Sequence, residues 1–173
     1  MWLVFTLLIA LAGAATLFRR SGRTTGANQR WAGAHGDLAH TAGLTGWRRN
    51  FGSDPIALVD DPRVAAVTMM TAVAQSDGAL SSAGRTTIVR RAMDHFGCNW
   101  RVANEMLDHA RFVLADSQDP SHCFSKLKPL IVKRCNPSER TDLIAMLRAA
   151  AAADGQIGDT ERRAINALAL DLT

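Results

Sequence analysis

The chain has 173 residues, with three cysteines, five prolines and no tyrosine, and 47% of it is hydrophobic. That length and apolar share suit one ordinary domain with a buried core plus appendages, and the wealth of alanine, leucine and arginine leans towards helix. The net charge of +4 is uneven: residues 19–60 carry six arginines against three aspartates, while residues 61–173 are nearly balanced, so the larger part has no basic excess with which to hold nucleic acid.

The first element is WLVFTLLIALAGAATLF, residues 2–18, an unbroken run without a charge. As a helix it spans about 25 Å, a little less than the ~30 Å hydrocarbon core of a bilayer, a gap that bilayer thinning and snorkelling arginines close. A cleaved signal peptide competes with this reading, because AGAA at residues 12–15 could be cut. Signal peptides carry a positive n-region, however, and here Arg19, Arg20 and Arg23 follow the run instead of preceding it. The run therefore reads as a single-pass anchor over residues 1–18. Its charge bias places the N-terminus outside and the C-terminal part in the cytoplasm, at the inner membrane. Cys98, Cys123 and Cys135, an odd number without CxxC spacing, fit reduced thiols in that compartment and read as small buried hydrophobes.

Residues 19–60 are rich in Gly, Arg, Thr and Ala without periodicity, and Trp31, Trp47 and Phe51 interleave with the arginines. They read as a basic, flexible tether resting on the anionic leaflet, rather than as stacking platforms for bases.

From residue 61 to 173 the chain predicts about six helices separated by short punctuation, an all-α domain. Asp61-Pro62 opens the first, with Val64, Val67, Met70, Thr71 and Ala74 as its inward stripe, and Asp77-Gly78 ends it. The second follows Ser81, carries Ile88, Val89, Met93 and Phe96, and ends at Gly97. Asn99 caps a third, with Val102, Met106, Leu107, Ala110 and Leu114. Asp119-Pro120 starts a fourth, in which Pro129 predicts a kink or interruption. Asn136-Pro137 starts a fifth with Glu139 at the capping-box position, ending at Asp154-Gly155, and a last helix from Asp159 carries Ile165, Leu168 and Leu172.

Two helix–Asp-Gly–helix units, 77 residues apart, thus bracket the domain. Each places Asp-Gly (Asp77-Gly78, Asp154-Gly155) two residues before an aliphatic side chain (Leu80, Ile157). Gly can end the helix with a positive φ, the aliphatic residue can plug the core, and Asp can accept hydrogen bonds from the loop. At these residues the chain resembles TerB-like domains, named for tellurite-resistance proteins: SDGALSS and ADGQIGDTER are similar to that family's paired ADG-x-hydrophobic-x-x-x-E signatures, over roughly residues 61–173. The order of anchor then domain also resembles membrane-anchored J-domain co-chaperones of the DjlA type. The first copy departs from the signature, with Gly84 where an acid is expected, and the absence of an HPD motif removes any implication of Hsp70 stimulation. The resemblance implies a TerB-like bundle and a role in tellurite or envelope stress.

In the register of a calcium-binding EF-hand loop, Asp154, Gly155 and Glu161 fall at positions 5, 6 and 12, but Ala150 and Ala152 stand at positions 1 and 3 and offer no oxygen ligand. The first copy has Val73 and Gln75 there and Gly84 at position 12. A self-contained loop site is excluded. A shared site pooling Asp77, Asp154, Asp159 and Glu161 requires the two loops to meet in space, and it supports the alternative of a divalent-metal-binding or sensing domain. Neither His95 with Cys98 nor His122 with Cys123 supplies a zinc set, and no nucleophile motif or phosphate loop is present. No enzymatic activity and no other cofactor are expected. Lys126, Lys128, Lys133 and Arg134 form a basic face on the fourth helix, suited to solvent, lipid headgroups or an acidic partner. The leading expectation is a membrane-anchored cytoplasmic scaffold for a protein partner, docking between the two Asp-Gly units.

Overall fold

The computed structural model describes residues 54–115 and 119–172. Among them are six α-helices and no strand: α1 Pro62–Ala74, α2 Ser82–Phe96, α3 Trp100–Val113, α4 Pro120–Arg134, α5 Pro137–Ala151 and α6 Asp159–Leu172. Their starts follow the punctuation. Asp61, Ser81, Asn99, Asp119 and Asn136 each accept a backbone N–H of the first turn, and Pro62, Pro120 and Pro137 occupy first positions, where a missing N–H is harmless. The capping box at Asn136 and Glu139 is complete in both directions.

Helix α1 is the axis of the bundle, flanked by α2, α3, α4 and α5. Every residue from Pro62 to Val73 is buried, so the inward stripe expected from spacing is too narrow. A helix apolar on all sides belongs in an interior, and PRVAAVTMMTAVA carries only one charge, Arg63, held by Asp61 at 2.6 Å. Thr68 and Thr71 survive full burial because their hydroxyls donate to the carbonyls of Val64 and Val67, each at 2.8 Å. The α1 alanines that are fully buried, Ala65, Ala66 and Ala72, let the neighbouring helices approach closely. Helix α6 closes the bundle against α5 and α4.

The interruption that Pro129 could have caused does not occur: it sits inside α4 without ending it, because its ring lies on the exposed face, where an unpaired carbonyl one turn earlier can be hydrated. Ahead of α1, Pro55–Leu58 form a 3-10 turn capped by Asp54 and packed on α4, with Ile56 and Val59 in the core, so the last residues of the stretch read as tether are part of the fold. The remaining tether and the apolar run of residues 2–18 lie outside the described residues, among which no helix is long and apolar enough to cross a membrane.

Candidate functional site

The two Asp-Gly joints have the same backbone. In the first, Gln75 N–H donates to Thr71, Ser76 N–H to Val73 and Gly78 N–H to Gln75; in the second, Ala152, Ala153 and Gly155 repeat this with Arg148, Ala150 and Ala152. Gly78 and Gly155 have φ of 145° and 134°, and a Cβ at either would meet nothing within 4 Å. The constraint is therefore the backbone angle alone.

The side chains differ, and the differences are complementary. In the first unit the N-cap side chain works: Ser81 Oγ accepts the N–H of Gly84 at 2.9 Å. In the second the third helical residue works: the Glu161 carboxylate accepts the N–H of Gly158. Each joint thus carries one half of a capping box. A Cβ on Gly158 would lie 2.6 Å from Glu161 Oε2, so the glycine makes room for that contact; a Cβ on Gly84 would press on Leu80 at 3.0 Å.

The halves are then tied across the molecule. Ser76, in the first joint, donates its hydroxyl to Glu161 Oε1 at 2.5 Å, and Ser81 donates to Asp154 Oδ1 at 2.5 Å. Glu161 is only 6% exposed, and its two oxygens receive one donor from its own loop and one from the other. The charge sits in the first turn of α6, where the helix dipole favours it. Chemically the arrangement is a double latch that fixes one helix pair on the other.

The loops meet, as a pooled metal site requires, but the four carboxylates do not converge. Asp77 is exposed and makes no hydrogen bond among the described residues, Asp154 is held by Ser81, Asp159 faces solvent with Arg162 at 2.9 Å, and Glu161 points into the latch. Among the described residues, no three His, Cys, Asp or Glu side chains group so as to hold a metal ion. Leu80 packs against the core as a plug, and Ile157 at the equivalent place is half-buried. The serines were the partners that sequence reading missed. Their signal is an exchange between the two copies: Ser76 for Ala153, Ser81 for Gly158, and Gly84 for Glu161.

The basic face of α4 is divided. Lys126 reaches Asp54 at 3.1 Å and Lys128 reaches Asp171 at 2.7 Å, tying the 3-10 turn and α6 to this helix. Burial alone would raise the Asp54 carboxyl, but the hydrogen bonds from Lys126 and Ile56 and the charges of Lys126 and His122 outweigh it and hold it below its ordinary value. Lys133 and Arg134 lie exposed in the last turn, where they complement the dipole. The three cysteines are buried and free. Burial, then Asp54 and Asp119, push the Cys123 thiol up to about 12; burial, then Glu139, do the same for Cys135, also to about 12, despite Arg140. These thiols are inert at neutral pH.

A family model described as Tellurite resistance protein TerB matches residues 63–172. No curated protein and no solved structure matches the chain.

Proposed function

The chain belongs to the TerB family, and from that premise we propose that it is a non-catalytic interaction module acting in tellurite or envelope stress. In this reading residues 2–18 hold it at the inner membrane and the helical domain faces the cytoplasm. The observation that carries the reading is the use of the joint's polar groups. Ser76, Ser81, Asp154 and Glu161 are engaged with one another, so what the two units supply is a rigid frame rather than reactive groups. The family's association with tellurite resistance supports the stress context. A scaffold also suits a domain whose thiols are held protonated by burial.

The test is complementation of a deletion strain with the full chain and with a version lacking residues 1–53. The full chain should sediment with membranes and restore growth on tellurite, and the shortened form should be soluble and fail to protect. Unchanged tellurite survival on deletion would remove the stress role. Recovery of the full chain in the soluble fraction would remove the anchor.

A further inference from the structure

Arg85 pins α2 to α3, donating to Asn104 at 3.1 Å and lying 3.5 Å from Asp108. Beside this pin the two helices leave a cleft of about 320 Å³. Val89 and Met93 provide apolar lining, Trp100 stands in it, and Arg90 and Asp94 complete the rim. Two features of this lining are not explained by folding. Trp100, the first residue of α3, is 66% exposed although Asn99 already caps the helix, so neither packing nor capping requires an indole there. Arg90 is exposed and makes no ion pair or hydrogen bond among the described residues, while the other cleft arginine has polar partners on α3.

We propose that this cleft docks an acidic–aliphatic segment of a partner protein. An aliphatic side chain of that segment fills the space between Trp100, Val89 and Met93, and an adjacent carboxylate meets Arg90. Exposed Trp and Arg are the residue types that most often carry binding energy at interfaces, and an apolar hollow with one cationic edge selects for this pairing. Asp94, one turn along α2 from Arg90, repels a second carboxylate at its own end of the cleft, and Arg85 is already engaged by Asn104 and Asp108, so Arg90 is the cation left to meet the acid. The volume of about 320 Å³, room for about two side chains, favours a peptide's side chains over a flat lipid surface. The proposal rests on the interaction-module reading and names its surface and its partner's chemistry.

The experiment pans a dodecapeptide phage library against the purified full chain. The enriched peptides are then titrated by fluorescence anisotropy against the wild type and three variants: Trp100→Ala, Arg90→Glu and, as a charged control outside the cleft, Lys133→Glu. Circular dichroism confirms that each variant folds, as the exposed positions lead one to expect. Enriched peptides should carry Asp or Glu beside Leu, Ile or Met. Trp100→Ala and Arg90→Glu should each weaken them about tenfold or more, Lys133→Glu should leave them unchanged, and a peptide with Lys in place of its acid should regain binding to Arg90→Glu. No enrichment, or peptides indifferent to Trp100 and Arg90, overturns the proposal. Phosphatidylglycerol vesicles that bind in a Trp100- and Arg90-dependent way while peptides do not would overturn it in favour of a lipid surface. Tellurite protection separates the two levels: a failed cleft with protection intact leaves the module reading standing, whereas loss of the stress phenotype itself removes that reading.

Discussion

Asp77 and Asp154 stand at the same place in two copies of one backbone turn, yet only Asp154 receives a hydroxyl from the opposite joint. Their substitutions should therefore differ. Asp77→Ala should change stability by no more than about 0.5 kcal/mol, as for an ordinary surface change. Ser81→Ala removes both the cap to Gly84 and the bond to Asp154 and should cost about 1–2 kcal/mol. Glu161→Ala should cost about 1–3 kcal/mol, because it strands the N–H of Gly158 and the hydroxyl of Ser76 around a buried hollow. Urea denaturation of the four proteins checks the order. Equal losses for Asp77→Ala and Glu161→Ala would show that the latch contributes nothing.

At the scale of the element, helix boundaries were legible because their signals are local. Asp-Pro and Asn-Pro act within one turn and start helices in the structure, whereas α1 and α5 end at Ala74 and Ala151, three residues before the Asp-Gly pairs expected to stop them, which lie in the turns that follow. Two other features were not legible. The latch joins residues 73 and 85 positions apart, and no rule of spacing pairs a particular serine with a particular carboxylate across that distance. The all-round burial of α1 depends on four neighbours, and its low charge was the one available hint. That burial predicts a contrast between two apolar residues. Met70→Ala, at the centre of α1 and fully buried, should cost about 2–5 kcal/mol through lost contacts and a cavity. Leu170→Ala, on α6 and 80% exposed, should stay within about 0.5 kcal/mol. Thermal melts would show the first as a large fall in Tm and the second as almost none, and similar falls would contradict the placement of α1 as the axis.

For the molecule as a whole, the response to acid follows from which charges the fold has buried. His109 on α3 is buried, and burial lowers its pKa from 6.5 in spite of the opposing pull of Asp60. The unfolded chain then takes up this proton at a higher pH than the native state does, so stability rises with pH across the interval between the two values. The contribution is complete above 6.5 and is lost as pH falls through the lower, folded value. Asp54 acts in the same direction in a separate window. Its carboxyl is held below 3.8, so its contribution persists down to that pH and disappears only beneath it, when the contact with Lys126 loses its charge. Urea midpoints measured across the range should fall as pH drops below 6.5 and fall further below 3.8, with His109→Gln reducing the first fall and Asp54→Asn reducing the second. A first fall unchanged by His109→Gln would assign it to another group. The prediction ties one helix of the core and one turn at the domain's edge to separate steps of the same titration.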